Sequence, residues 1–333
     1  MIAVHRAGGA RCGWPVDVAA TRKRVNVMND DPMRAAAARR GGLAAGLCYL
    51  AWGLVPLFWH LLASVEAAEL IAHRLVWSMV FVVAVLAWRG GFGDVRAALG
   101  SAVSVGRNFL SSGLLTVNWL VYVWAVNHGH VIECSLGYFL VPLLNVALGR
   151  WVLREELRPM QWLAIGCAAL GVAVQIVQLG KLPWIALVLA LSFGFYGLLR
   201  KQSPLGPLTG LAVETVLLAP LAGIYLWWRH HTGEGALGRL DGATHILIFS
   251  TGVVTAIPLL LFAYGARRIR MTTLGLLQYI APTVQFALGL LVFHESFSRD
   301  RALSFALIWT GLAVYTADNV WSQRGTRRGV TRA

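Results

Sequence analysis

Ten long apolar stretches, each nearly free of charged residues, dominate the sequence. They lie at about 43–62, 70–88, 108–126, 132–151, 160–179, 182–199, 209–228, 244–264, 272–293 and 303–321. Each holds about 18–22 residues, and at ~1.5 Å rise per residue a helix of that length crosses a ~30 Å hydrocarbon core. Backbone polar groups must bond internally in lipid, and runs of this length satisfy them as helices. The sequence therefore predicts an all-α integral membrane protein with ten transmembrane helices.

Composition agrees with a membrane protein and argues against the other classes. Hydrophobic residues make up 57% of the chain and charged residues 13%, whereas a soluble domain has about 25% charged residues. The net charge of +14 would suit nucleic acid, but the basic residues cluster in loops and tails, as in membrane proteins. We therefore expect no nucleic-acid partner. Four cysteines without a CxxC pair indicate neither a disulfide framework nor a metal site, and we expect no cofactor.

The basic residues also predict the orientation. Residues 1–40 are polar and basic and predict a disordered cytoplasmic tail, and residues 323–333 form a second basic tail. The four loops that would share the side of both tails carry eleven Lys and Arg residues, against five in the remaining loops. Because basic loops stay in the cytoplasm, both termini are predicted to be cytoplasmic.

A repeated segment divides the chain into two halves. Residues 145–157 read NVALGRWVLREEL, and residues 285–297 read QFALGLLVFHESF, with an offset of 140. At this offset Pro142 meets Pro282, Gly149 meets Gly289 and Glu155 meets Glu295. The halves are predicted to be five-helix units at 41–180 and 181–322. Since five is odd, the second must be inverted, which places Glu155 on the cytoplasmic side and Glu295 outside.

Inverted repeats favour transport over other functions. Two such halves can exchange conformations and open a midplane site alternately to each side. An inert bundle left by gene duplication, a membrane scaffold or a sensory or assembly protein remain alternatives. An enzyme is not predicted, because HExxH, GxSxG and P-loop motifs are absent. The segment NHGH at 127–130 is better explained as a polar turn.

Four segments resemble one family along the membrane region. They are AHRLVWS (72–78), NWLVYVWAVNHGHVIECSLGYFLVPLLNVALG (118–149), LSFGFYGLLRK (191–201) and LGLLQYIAPTVQFAL (274–288). They are similar to the RarD-type permeases of the EamA family, in the drug/metabolite transporter superfamily, over about residues 41–323. The resemblance implies ten helices, two inverted EamA repeats and a permease of the bacterial inner membrane, linked to chloramphenicol sensitivity or resistance.

We therefore expect a secondary exporter of small organic metabolites or drugs. Its partners would be a small organic solute, the lipid bilayer and a coupling ion, either proton or sodium. The chain would be a monomer or a weak homodimer, because the small-residue pair at Gly42 and Gly46 suits packing within the monomer.

Two prolines and a set of polar side chains mark the candidate solute site. Pro142 and Pro282 occupy equivalent positions in spans four and nine, and broken helices at matching places indicate a binding site; packing kinks are the alternative. The polar and aromatic residues of spans three, four and nine form the candidate lining: Asn118, Trp119, Tyr138, Asn145, Gln278, Tyr279 and Gln285. Each could instead bond to a neighbouring helix.

Arg74 and Glu214 are the charges deepest in the spans, and they also differ by 140. Their predicted depths leave some ~15 Å between them along the membrane normal, too far for a direct bond. Glu133 is the predicted partner of Arg74, with Glu69 next. The candidate partners of Glu214 are Arg150, Arg154 and Arg200. We predict an outer and an inner ion pair that form alternately; static pairs, with Arg74 extended to the surface, are the alternative.

Overall fold

The computed structural model describes residues 32–128, 130–180, 183–292 and 299–330. Within these residues the chain forms twelve helices and no strand. The helices are α1 Pro32–His60, α2 Ala67–Arg89, α3 Phe92–Leu99, α4 Ala102–Asn127, α5 Val131–Trp151, α6 Pro159–Leu179, α7 Trp184–Gln202, α8 Pro207–His231, α9 Gly242–Ala266, α10 Met271–Gln278, α11 Ile280–Leu291 and α12 Arg299–Val330. The predictions for residues 1–31, 331–333 and Glu295 lie outside the described residues.

Every predicted apolar run overlies one of these helices, with α10 and α11 sharing the ninth run. Seven helical stretches in the described residues are long and apolar enough to cross a membrane, counting α10 and α11 as one. The exceptions are α4, α5 and α12. In α4 a series of polar side chains lowers the hydropathy, and several of them are buried against other helices. In α12 the apolar part, Ala302–Asp318, is shorter.

Three details differ from the sequence predictions. Helix α1 begins at Pro32, so residues 32–40 are helical, not a disordered tail; proline suits a first helical turn, and the alanine run after it has high helix propensity. Helix α3 adds a short segment between spans two and three, after Gly90 ends α2 with φ 73°. Helix α12 continues to Val330 through most of the predicted basic tail.

The helices of the two predicted halves are interleaved. Helix α2 packs on α8 and α9, α5 on α7 and α10, α1 on α9 and α11, α4 on α7, and α6 on α12. Each of these pairs joins a helix of residues 41–180 to one of residues 181–322. Some close approaches between the halves use glycine: a Cβ on Gly311 would lie 2.5 Å from the carbonyl oxygen of Ala164, and one on Gly171 would lie 2.8 Å from that of Ser304.

An aromatic cluster fills the centre of the bundle where α1, α7 and α9 meet. The rings of Trp52 and Phe193 are 5.6 Å apart, and those of Tyr196 and Phe262 are stacked at 5.7 Å. Tyr49 packs on Trp52 and Phe262. Aromatic pairs of this kind contribute about 0.5–1.5 kcal/mol each beyond the area that they bury, so this cluster ties the two halves together.

Candidate functional site

A small cavity lies where α2 and α4 of the first half meet α8 and α9 of the second. Its volume is about 20 Å³, which is room for about one water molecule. The polar side chains at its wall are Ser78, Ser112, Trp119, Glu214, Thr215 and Thr255. The cavity is therefore lined by Glu214 and by Trp119 and Thr255, which both contact Arg74.

Glu214 is held by groups from two other helices. Its Oε1 accepts a hydrogen bond of 2.6 Å from the Ser111 hydroxyl of α4, and the Nη1 of Arg200 lies 3.5 Å away. Arg200 and Glu214 are 2% and 3% exposed. The second carboxylate oxygen, Oε2, is buried and accepts no hydrogen bond from a described residue. Of the three arginines predicted as partners, the structure brings Arg200 to Glu214; Arg150 and Arg154 are exposed.

Contacts of the neighbouring loop fix this end of the bundle. Lys201 donates a 3.2 Å bond to the carbonyl of Ala266, at the end of α9. Arg267, just beyond α9, donates a 2.6 Å bond to the carbonyl of Leu205. Partial burial, with Arg200 and Arg268 nearby, lowers the pKa of the Arg267 guanidinium. The turn between α7 and α8, which orients Arg200, is thereby bound to the end of α9.

Arg74 has a different environment from the predicted one. Its Nε donates a 3.0 Å bond to the hydroxyl of Thr255. Its guanidinium carbon lies 4.8 Å from the centre of the Trp59 ring and 4.4 Å from that of Trp119. Neither Glu133 nor Glu69 is within ion-pair distance of Arg74, so the predicted outer pair is not formed in this conformation.

The two acidic residues instead have partners of their own. Glu133 lies 3.5 Å from the imidazole of His130. Glu69 accepts a 2.6 Å bond from the backbone of Ala236 and lies 3.7 Å from Arg229, because the segment after α8 folds back onto the start of α2. Sequence reasoning missed this cluster. In the described part of the chain, no group of three or more His, Cys, Asp or Glu side chains could hold a metal ion.

Five of the predicted lining residues bond to neighbouring helices in this conformation. Asn118 donates to the Leu189 carbonyl and the Ser192 hydroxyl, at 2.9 and 3.0 Å. The other three bonds are Asn145 to Gln278 at 3.0 Å, Tyr279 to the Phe139 carbonyl at 3.3 Å, and Gln285 to the Trp52 carbonyl at 3.2 Å. Every one of them joins the two halves.

Two predicted lining residues lie elsewhere. Tyr138 packs edge-on against Tyr122 with ring centres 5.7 Å apart. Trp119 lines the cavity described above. The predicted lining residues therefore fall into two groups. Five bond to neighbouring helices, and two, Trp119 and Tyr138, belong to the aromatic residues near Arg74.

The two prolines do not have matching effects. Pro142 lies inside α5, which continues without interruption. The equivalent helix is interrupted at Tyr279, between α10 and α11, three residues before Pro282. Proline lacks the N–H that would bond four residues back, and its ring crowds that carbonyl. The prediction of broken helices at matching places is therefore wrong for Pro142. Helix α10 packs closely against α5 at this point, because Gly275 has no side chain; a Cβ on Gly275 would lie 2.7 Å from the Pro142 carbonyl oxygen.

Glu155, in the repeated segment, caps a helix of the other half. Its carboxylate accepts bonds from the backbone N–H groups of Met271 and Thr272, at 2.6 and 3.0 Å, and from the Thr272 hydroxyl at 2.7 Å. A carboxylate there satisfies unpaired N–H groups of α10 and complements the helix dipole. A Cβ on Gly149 would lie 2.9 Å from Glu155 Oε2. The repeated Gly and Glu, six residues apart, were the sequence signal for this contact.

The two halves each match one protein-family model. Residues 39–177 and residues 182–317 both match the model described as the EamA-like transporter family. The chain belongs to the EamA-like transporter family. The protein RarD of Streptomyces exfoliatus is 44% identical over 303 residues, covering 89% of this chain and 94% of that protein. The chloramphenicol-sensitive protein RarD of Pseudomonas aeruginosa is 28% identical over 293 residues, covering 86% of this chain and 96% of that protein.

A solved crystal structure has a similar fold. Its TM-score is 0.65 at 22% sequence identity, and the match covers 83% of this chain and 97% of the other. These similarities show a RarD-type EamA permease, a multi-pass bacterial membrane protein.

Proposed function

We propose that this RarD-type permease is a secondary transporter that exports small organic metabolites or drugs by alternating access. The carrying observation is a pair of reciprocal contacts around the cavity. Arg74 of the first half donates to Thr255 of the second, and Glu214 of the second half accepts from Ser111 of the first. Each of the two charges is thus bound by the opposite half, as expected if relative movement of the halves changes both environments.

The same proposal includes ten membrane spans in two inverted repeats, at 41–180 and 181–322. Reciprocal glycine contacts support it. Gly171 packs on Ser304, and Gly311 packs on Ala164. Gly171 and Gly311 are 140 residues apart, and so are Ala164 and Ser304. The two contacts are therefore equivalent, as a two-fold relation between the halves requires. Both termini would be cytoplasmic, in the inner membrane, because the basic loops favour that side.

The size of the cavity supports a closed conformation. At about 20 Å³ it is far smaller than the ~300–1,000 Å³ that encloses a drug-sized ligand. Helices α2, α4, α8 and α9 would have to separate to admit a solute. The alternating ion pairs predicted from the sequence fit this, because Glu214 is paired with Arg200 here while Arg74 is not paired with Glu133.

The solute class follows from the family and the aromatic lining. One relative is named a chloramphenicol-sensitive protein, and Trp119 at the cavity suits a solute with an apolar or aromatic body. The other predicted lining residues would contact the solute after the helices separate and the present bonds are broken: Asn118, Tyr138, Asn145, Gln278, Tyr279 and Gln285. A proton or sodium gradient would drive the cycle.

Flux measurements test the proposal. The gene is deleted and overexpressed, and uptake and efflux are measured across a panel of amphiphilic drugs and metabolites that includes chloramphenicol. Proteoliposomes with an imposed proton or sodium gradient then identify the coupling ion. We expect gradient-dependent efflux of at least one compound. Unchanged flux for every compound, together with a stable protein partner recovered from the membrane, would favour a scaffold instead.

A further inference from the structure

Arg74 is a cation inside the bundle without a compensating carboxylate. No described carboxylate lies within ion-pair distance, and no described acceptor bonds to its two terminal nitrogens; its bond to Thr255 uses Nε. A charge inside a membrane protein is costly and usually marks a functional site. The contrast with Glu214, which has Arg200 beside it, is direct. The group of these three charges therefore carries one net positive charge.

The guanidinium is held by aromatic and hydroxyl groups of neighbouring helices. Trp59 of α1 and Trp119 of α4 lie against it at 4.8 and 4.4 Å, and Thr255 of α9 anchors Nε. Three helices thus hold the group while its terminal nitrogens stay available. Two adjacent N–H groups in one plane match the geometry of a carboxylate.

The surroundings of Arg74 would suit an apolar or aromatic body. Arg74, Trp59, Trp119 and Tyr138 are all partly exposed, not sealed in the core. Tyr122 packs on Tyr138 with ring centres 5.7 Å apart, and both rings lie in the neighbourhood of the guanidinium. A solute that bound its charge to Arg74 would therefore meet indole and phenol rings around it.

We propose that Arg74 binds the carboxylate of the transported solute, and that the solute is a small organic monoanion with an aromatic or apolar body. This inference rests on the proposed transport function and deepens it by assigning the solute class. One net positive charge is neutralised by one carboxylate, which disfavours a polyanion. Two terminal nitrogens can hold the carboxylate in a bidentate arrangement while the rings contact the rest of the solute.

Binding to the purified full-length protein tests the assignment without requiring transport. The probes are 3-phenylpropionate and its neutral isostere 3-phenylpropanamide, measured by calorimetry at neutral pH, where the acid is ionised. We expect the acid to bind at least about tenfold more tightly, the equivalent of about 1.4 kcal/mol. Arg74→Gln should abolish this preference, and Arg74→Lys should keep part of it, because lysine retains the charge without the planar fork. Arg89→Gln, at the exposed end of the same helix, is the matched control and should not change the preference.

Three results would overturn the assignment: equal affinities for the acid and the amide, a preference that survives Arg74→Gln, or no binding of either probe. The ratio in the unaltered protein tests the proposal even where Arg74→Gln does not fold. Efflux of neutral chloramphenicol is measured in parallel with the same preparation. Efflux without a preference for the acid would reject the monoanion assignment and leave the transport function standing, whereas binding of the acid without flux of any solute would reject transport.

Discussion

Removing the Glu155 carboxylate should loosen the start of α10. In Glu155→Ala, the backbone N–H groups of Met271 and Thr272 and the Thr272 hydroxyl all lose the carboxylate that accepts from them. Loss of a helix N-cap costs about 0.5–2 kcal/mol. Three bonds to one charged and largely buried group place this cap at the upper end of that range, at about 2 kcal/mol.

Hydrogen exchange at the amides of Met271 and Thr272 measures this change directly, because exchange through local opening follows the opening equilibrium. A loss of about 2 kcal/mol corresponds to about thirtyfold faster exchange, at about 1.4 kcal/mol for each factor of ten. Glu155→Gln keeps an acceptor without the charge, and neutral bonds are about half as strong, so about fivefold is expected. Gly149→Ala should resemble Glu155→Ala, since its Cβ would displace the carboxylate.

Glu156→Ala is the matched control, because the Glu156 side chain is exposed and its contact to Arg270 uses the backbone carbonyl. Exchange at Met271 and Thr272 should stay at its original rate in this variant. Equal acceleration in Glu155→Ala and Glu156→Ala, or none in either, would refute the capping role.

Further variants test the bundle and its orientation. Arg200→Met should lower thermal stability in detergent by about 3–5 kcal/mol, because it leaves Glu214 buried without its ion-pair partner, and adding Glu214→Leu should restore most of the loss; a double variant less stable than the single one would contradict this. Gly252→Ala would drive a Cβ into the backbone of α2 and should reduce the melting temperature and yield. Gly113→Ala is the control, because the segment SGLLT at 112–116 is similar to TGVVT at 251–255 and a Cβ on Gly113 meets open space; equal effects would argue against tight packing at Gly252. A cysteine replacing exposed Glu156 should react with an impermeant thiol reagent from the cytoplasmic side alone, and labelling from outside would reverse the proposed orientation.

The positions of the helices could be predicted from the sequence because a membrane makes strong demands on composition. A run of some 20 apolar residues has few alternatives in lipid, and each of the ten runs overlies a helix. The ends of the helices were harder to predict. Helix α1 begins at Pro32, because proline and the alanines after it favour a helix although this segment is not part of an apolar run. The split at Tyr279 was indicated by Pro282, but the same residue type at Pro142 left α5 intact, since neighbouring helices decide whether a freed carbonyl is accommodated.

Partners could be predicted less well than positions. Spacing and depth predicted three arginines as candidate partners of Glu214. The pairing with Arg200 depends on the rotation of α7 about its axis, which the sequence pattern does not specify. Arg74 illustrates the same limit: its depth suggested Glu133, but Trp59, Trp119 and Thr255 surround it. Opposite charge alone predicts a carboxylate partner for Arg74, whereas aromatic rings and hydroxyls also interact well with a guanidinium.

The bonds between the halves set the cost of opening either end of the bundle. Glu155 on α10, the Ser111–Glu214 bond and the Asn145–Gln278 bond join the halves, and Glu69 joins them near the start of α2 through Ala236 and Arg229. At about 1 kcal/mol net for an ordinary hydrogen bond and somewhat more for charged ones, opening the Glu155 end would cost several kcal/mol. A solute can shift such an equilibrium only by the difference in its affinity for the two states. Micromolar binding, worth about 8 kcal/mol, would be sufficient if most of it were made in one state, so a single carboxylate contact at Arg74 together with aromatic packing could drive the change.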